Sequence, residues 1–304
     1  MNAIAIDTAH SARLLRLATY ASVATAVVLI AGKIAAWLMT GSVSVMASLV
    51  DSMLDAAASI INLLAVRYSL MPPDSDHRFG HGKAEPLAGL GQAAFIAGSA
   101  VFLTLQAIER LLHPQPLQDL AVGIGVMVFA IAATLVLVMI QRYVIARTNS
   151  TAIRADSLHY FTDLITNMST IIALVLAYLG WPGMDPWFAL GIAAYILYSA
   201  FQIGIEAVQL LMDRELPANE KEQIIEIAHR HPAVRGVHDL RTRRSGQTYF
   251  IQFHLEFDGT LPLQDAHKAA DEVFSDLQKA FPNADVIIHE DPAGVEDPAH
   301  TQKL

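Results

Sequence analysis

The sequence contains no cysteine among its 304 residues. Disulfide bonds and thiolate metal sites are therefore excluded, and any metal must be held by nitrogen and oxygen ligands. Charge is also scarce: 16% of residues are Asp, Glu, Lys or Arg, where soluble domains carry about 25%. Together with 54% hydrophobic residues, this rules out an ordinary soluble enzyme and a disordered or collagen-like chain. The net charge of −9 is unevenly spread. From Asp213 to Leu304 there are 17 Asp and Glu against 10 Lys and Arg, a balance of −7. An acidic tail of this kind does not suit a nucleic-acid partner.

Apolar runs of about 20 residues, enough to cross roughly 30 Å of hydrocarbon, recur six times. They fall near 15–39, 43–68, 85–110, 118–141, 150–180 and 185–211. Turn-like or charged residues separate them, among them Thr40-Gly41-Ser42, Met71–Glu85, His113-Pro114-Gln115-Pro116, Arg142–Ser150 and Gly180–Pro186. The first run is too long for a removable signal peptide and lacks a small-residue cleavage site, so it is expected to stay in the mature protein. Arg13, Arg16, Arg67, Arg78, Lys83, Arg142, Arg147 and Arg154 lie at the N-terminus or in the second and fourth connections, against Arg110 alone in the others. This bias places both termini in the cytoplasm. Trp37, Trp181 and Trp187 then form an aromatic belt at the opposite interface. Lys33, inside the first span, is expected to snorkel to the headgroups.

Past Asp213 the pattern changes. Pro217–His231 reads as a helix and Gly236–Arg244 as a strand. Thr248–Phe257 alternates Phe250, Gln252, His254 and Glu256 against Tyr249, Ile251, Phe253, Leu255 and Phe257, a half-buried strand. A helix over Leu263–Phe281 and a strand over Ala284–His289 complete an α-β-β-α-β order. The expected architecture is an α-helical membrane protein with six transmembrane helices over 1–212, followed by an α+β cytoplasmic domain over 213–291. Residues 292–304 are expected to form a loose tail.

Three groups of ligand-type residues stand out. Asp51 and Asp55 lie four apart inside the second span, and His159 and Asp163 repeat the spacing in the fifth. Such spacing puts each pair on one helix face. A carboxylate at bilayer depth costs about 2.5–3.5 kcal/mol. Polar residues of this kind can line a wet crevice or tie helices together, but two pairs of metal-ligand type in separate spans fit a tetrahedral divalent-metal site better. In the second connection Asp74, His77 and His81 offer three ligands from a short loop, where spacing alone fits a metal site and a plain solvated loop equally. In the tail His238, His254, His267, His289 and Asp291 fall on the strands and the second helix. Surface histidines are common, yet as a group these can hold two metals with a bridging carboxylate.

The stretches Gly41-Ser42-Val43-Ser44 with Asp51-Ser52-Met53-Leu54-Asp55, His77-Arg78-Phe79-Gly80-His81-Gly82-Lys83, Arg154-Ala155-Asp156-Ser157-Leu158-His159-Tyr160 and Asp285-Val286-Ile287-Ile288-His289 resemble the cation diffusion facilitator family, in its bacterial zinc and ferrous-iron exporter branch. The resemblance runs from about residue 13 to 292 in unbroken order. It implies a transport site of Asp51, Asp55, His159 and Asp163, a loop site of Asp74, His77 and His81, and a cytoplasmic binuclear site of His238, His254, His267, His289 and Asp291. It also implies an ion pair between Lys83 and Asp213, a homodimer in the lipid bilayer, a metallochaperone-like tail domain, and exchange of cytoplasmic metal for external protons. Glu290 sits between the last two ligands, where the family varies.

The donor chemistry agrees. Zinc suits four nitrogen and oxygen ligands, and cadmium fits the same set; ferrous iron and manganese overlap with it in affinity, although the imidazole tilts the site toward zinc. Three carboxylates and a neutral imidazole exceed the charge of a dication by one, so the empty site should take up protons in competition with metal. An imidazole, with an ordinary pKa near neutrality, is the natural acceptor. No organic cofactor is called for. An aspartyl intramembrane protease is disfavoured, because each carboxylate pair shares one helix and no protease motif is present. A metal channel or a metal sensor without proton coupling is the competing reading.

Overall fold

The computed structural model describes residues 8–41, 43–113, 120–179, 181 and 184–294. The expected turn residues at Ser42 and 114–119, and the tail beyond 294, lie outside them. Six long helices come first: α1 (Thr8–Thr40), α2 (Val43–Ser69), α3 (Ala84–Leu112), α4 (Leu120–Thr148), α5 (Thr151–Tyr178) and α6 (Asp185–Leu211). At 1.5 Å per residue each exceeds about 30 Å, the thickness of the hydrocarbon layer. Five are long and apolar enough to cross a membrane. The exception is α5, which carries Arg154, Asp156, His159, Asp163 and Asn167 within its length. It is the helix whose polar groups face inward, so low hydropathy there reflects content rather than placement.

The local sequence explains where these helices stop. The backbone of Gly41 takes a positive φ of 59° after α1, and its N–H donates to the Trp37 carbonyl at 2.8 Å. This is the left-handed ending that glycine permits. Between α4 and α5 only Asn149 and Ser150 intervene. Asn149 adopts a φ of 49°, and the Ser150 hydroxyl accepts the Ile153 N–H at 3.2 Å, a helix start that a serine side chain can cap. Helix α4 therefore runs past 141, where the apolar run ends, and the long basic connection expected over Arg142–Ser150 is mostly helix.

Within the unit Ala12–Val208, packing relies on small residues, as membrane helices require where no hydrophobic effect drives them together. Ala93, Ala100, Ala155 and Ala200 interleave with Ile96, Leu158, Ile196 and Ile203 between α3, α5 and α6. A side chain at Gly89 would meet Thr151, with backbone atoms at 3.3 Å, so the glycine sets how closely α3 approaches α5. Outward-facing side chains are large and apolar, among them Val101, Phe102 and Leu105 on α3. On a soluble protein such a surface would aggregate; in a bilayer it is the lipid face.

The other unit, whose larger part is Gln209–Leu304, holds α7 (Ala218–His229), β1 (Val234–Ser245), β2 (Thr248–Phe257), α8 (Leu263–Ala280) and β3 (Ala284–Pro292). This is the expected α-β-β-α-β order, with β3 extended three residues to Pro292. The sheet has the order β1-β2-β3, with β1 antiparallel and β3 parallel to β2. A two-residue turn joins β1 to β2 through Gly246 at φ 58°, the mirror-image geometry that matches strand twist. Ile251, Phe253, Leu255 and Phe257 of β2 pack with Ile224, Ile227, Ala266, Val273 and Leu277 of the two helices. Alternation then sends Phe250, Gln252, His254 and Glu256 to the opposite face. Phe250 is buried there under the Arg243 guanidinium, 4.3 Å from its ring centre. One face of the sheet is covered by helices, and the other carries the ligand-type residues.

Candidate metal centres

Among the described residues, three ligand sets have donor atoms within 4.8 Å of one another: Asp55, His159 and Asp163; Asp74, His77 and His81; and His238, His254 and Asp291. Each was singled out by residue type and spacing.

At the first centre, His159 Nε2 lies 3.0 Å from Asp55 Oδ1 and 4.0 Å from Asp163 Oδ2. His159 is buried, and its ring is 6.2 Å from that of Phe95 and 5.4 Å from that of Tyr160. Asp51, the fourth expected ligand, is exposed one turn away on α2 and is not drawn into the triad. Lys33 departs from the expected snorkelling: its ammonium donates to the Ser48 carbonyl at 3.0 Å and the Ser52 hydroxyl at 2.6 Å. The Ser48 carbonyl and the Ser52 hydroxyl of α2 give the ammonium partners inside the helix bundle.

Behind the triad lies a network that residue type did not reveal. Asp156 is fully buried. Ser22 of α1, Gln92 of α3 and Gln141 of α4 donate to its carboxyl at 2.5, 3.0 and 2.8 Å. One turn on, Tyr160 donates to the Ser22 carbonyl at 3.3 Å and lies 2.8 Å from the Ser59 hydroxyl. Helix α5 is thus tied by polar bonds to four others around His159. The available signal was an aspartate at bilayer depth three residues before the histidine, a position that only a satisfied or functional carboxyl can hold.

In the loop, Asp74 Oδ1 accepts the backbone N–H groups of His77 at 2.7 Å and Asp76 at 3.0 Å. The His77 amide first, with that of Asp76, holds the Asp74 carboxyl below the usual carboxylate range. Asp74 Oδ1 is 3.4 Å from His77 Nδ1, and Oδ2 is 3.3 Å from His81 Nε2. Gly80, at φ 77°, turns the chain so that both rings converge. His81 is buried against Tyr68, with ring centres 4.5 Å apart, whereas His77 is exposed.

In the tail, strand register does the assembling. His238 pairs with His254 across β1 and β2, and His254 with His289 across β2 and β3. The three imidazoles form a row with ring separations of 5.0 and 4.6 Å. Asp291 lies beside it: Oδ2 is 2.7 Å from His254 Nδ1 and 3.3 Å from His238 Nε2, while Oδ1 is 3.2 Å from His289 Nε2. A carboxylate with its two oxygens turned to different imidazoles is the shape of a bridge. His267 is not brought to this row. It is exposed on α8, with Nδ1 3.2 Å from Glu290 Oε1. Two acids join the row without having been expected: Glu256, 3.0 Å from His238 Nδ1, and the buried Asp239, 3.8 Å from His254 Nε2. Asp239 reaches this position from a bulge in β1, at φ 48°, which strand alternation alone does not predict. Within the same unit, Asp213 Oδ1 lies 3.3 Å from Arg243 Nη1.

A helical membrane domain with one ligand set among its long helices and another in a connecting loop, followed by a sheet domain bearing a histidine row, defines a multi-pass metal-handling transporter rather than an enzyme. The model of the cation efflux transmembrane domain matches residues 19–212, and that of the cation efflux protein cytoplasmic domain matches residues 216–293. The chain belongs to the cation efflux family, also called the cation diffusion facilitators. It is 54% identical over 283 residues to the cation-efflux pump FieF of Salmonella agona, covering 93% of this chain and 94% of that one. The FieF of Salmonella arizonae is 53% identical with the same coverage. Among solved structures, the zinc form of the putative zinc transporter CzrB is 37% identical, covering 28% of this chain and 98% of that one, with a TM-score of 0.27. The metal-bound C-terminal domain of the CzcD transporter from Thermotoga maritima is 30% identical, covering 27% and 100%, with a TM-score of 0.25.

Proposed function

We propose that this protein exports divalent metal from the cytoplasm, zinc foremost and cadmium with it, in exchange for external protons. Ferrous iron and manganese compete for the same donors. The protein works as a homodimer in a bacterial inner membrane, with both termini cytoplasmic and one transport site opening to either face in turn. The observation that carries this reading is the convergence of Asp55, His159 and Asp163 from two helices at bilayer depth. Asp51 joins as fourth ligand when α2 turns its exposed carboxylate inward. Metal and protons exclude each other at such a site, because both need the same lone pairs.

The loop set of Asp74, His77 and His81 and the tail set of His238, His254, His289 and Asp291 hold resident zinc with a structural or regulatory role. His267 belongs to the tail set by residue type and resemblance, and Lys83 with Asp213 links the halves by resemblance. The family's cytoplasmic dimerisation domain, matched over residues 216–293, supports the homodimer. The test is zinc flux into proteoliposomes with and without an imposed pH gradient. Flux that follows the gradient is expected; flux indifferent to it would favour a metal channel.

A further inference from the structure

Four polar residues run down one stripe of α2: Ser52, Asp55, Ser59 and Asn62, each three or four positions from the next. That spacing keeps them on one helix face. Three of them are committed. Ser52 accepts from the Lys33 ammonium at 2.6 Å, Asp55 faces His159 at 3.0 Å, and Ser59 lies 2.8 Å from the Tyr160 hydroxyl. Asn62 is 2% exposed, and neither its Nδ2 nor its Oδ1 has a hydrogen-bond partner among the described residues. A buried amide without partners is costly, and a leucine of nearly the same size would avoid the cost. Its presence calls for something that bonds it part of the time.

We propose that Asn62 is a way-station for metal between the cytoplasm and the transport site, an assignment that rests on the export reading above. Asn62 is seven residues from Asp55 toward the C-terminal end of α2, about 10 Å along the axis at 1.5 Å per residue. That end leads to Arg67 and to the connection assigned to the cytoplasm. A metal bound for Asp55 from that side must pass this level of the helix. The Asn62 carbonyl oxygen can replace one water of a divalent cation as it sheds its hydration shell. Being neutral, it does not compete with the carboxylates for the final position. A ligand met only in passing lowers the barrier in both directions and leaves the equilibrium affinity of the transport site unchanged. Asn62 is therefore a residue of the entry path rather than of the site.

The experiment compares full-length parent, Asn62→Leu and Asn62→Thr in proteoliposomes with a pH gradient, across a series of zinc concentrations. The expected result for Asn62→Leu is a kcat/KM about tenfold below the parent, equivalent to ~1.4 kcal/mol of barrier. Its zinc affinity at the transport site, taken calorimetrically as the difference from Asp55→Ala, stays unchanged, and its thermal midpoint rises because the unpaired amide is gone. Asn62→Thr keeps an oxygen and recovers most of the rate. An unaltered kcat/KM in Asn62→Leu overturns the way-station, as does a weakened equilibrium affinity or a lowered thermal midpoint. A threonine variant as slow as the leucine one overturns it too. If the parent itself shows no gradient-dependent flux, the export reading fails first, and the two failures are told apart.

Discussion

The membrane unit and the tail unit use the same donors, imidazole and carboxylate, but assemble them by opposite means. In the membrane unit the inside is polar where it matters. His159 and Asp156 are buried and Asp55 is half-buried, while Val101, Phe102 and Leu105 face outward. In the tail Ile251, Phe253 and Leu255 fill the core, and the histidine row lies on the open face of the sheet. Helix periodicity of four residues builds the first site, and strand register builds the second. The first site lies where no water can reach its outer side, so the membrane donors need bonded neighbours on every side, whereas the edge of the tail row, at His289, is open to water. Removing one group should therefore do more damage in the membrane than in the tail.

The comparison breaks most sharply at the triad. His159→Ala or Asp55→Ala is expected to abolish zinc flux in proteoliposomes while size-exclusion chromatography still shows a folded protein of the parent's size. Each substitution removes one of three converging donors, and a tetrahedral site does not survive that. Undiminished flux in either variant would move the transport site elsewhere. Next in size is Asp156→Ala, which leaves Gln92 without its acceptor and leaves Ser22 and Gln141 with only the Ala18 carbonyl and the Ser22 hydroxyl. An orphaned buried amide costs about 1–3 kcal/mol, and the link from α5 to three helices is cut, so a drop in thermal midpoint is expected, together with lost flux. A midpoint within a degree of the parent would show that the network does not brace α5.

The sequence made the helices and the ligand types legible because both follow short-range rules. Apolar runs of membrane length, and pairs such as His159 and Asp163 four apart, can be read without knowing any neighbour. The order of tail elements was legible for the same reason, through the alternation in Thr248–Phe257. What escaped depends on distant contacts. The role of Asp156 arises from residues 134, 64 and 15 positions away, and nothing local marks Ser22 or Gln141 as its donors. Asp239 enters the tail row through a bulge, and Lys33 turned inward because Ser52 was there to receive it. Spacing and residue type also brought Asp51 and His267 into their sets, and in this single chain neither lies with its group.

A smaller effect is expected in the tail. The double variant His238→Ala/His289→Ala should lose the share of the zinc stabilisation that the tail row gives the parent, about 2.7 kcal/mol when zinc is a hundred times that site's dissociation constant. Its metal-free stability should match the parent's, because these imidazoles lie outside the core. Thermal melts of full-length protein with zinc and with chelator provide the measurement. A double variant still stabilised by zinc to the same extent would mean that the row is not a metal site. The same samples, spin-labelled on the tail of each protomer, report whether distances between tails respond to zinc. A response in the parent that is absent from the double variant is the result expected of a regulatory metal, and equal distances throughout would confine it to a structural role.

The smallest effect belongs to the loop. Asp74 has its pKa lowered by the N–H groups of His77 and Asp76. A carboxyl whose folded pKa lies below its unfolded value contributes stability that is present above the unfolded value, about 3.9 for aspartate. That contribution is lost only as pH falls through the lowered folded value. Across pH 5 to 8 it is therefore flat, and Asp74 stays a charged ligand throughout. Asp74→Asn keeps an oxygen for the two N–H bonds and removes the charge, so the turn should persist while zinc is held less tightly by roughly tenfold. Zinc titrations of full-length protein carrying His159→Ala and His238→Ala, with and without Asp74→Asn, isolate the loop. The expected ratio of affinities is the same at pH 6 and pH 8, because neither form of residue 74 changes charge between them. A ratio that collapses toward one at pH 6 would show that the carboxyl is being protonated there and that its two backbone donors do not hold it ionised.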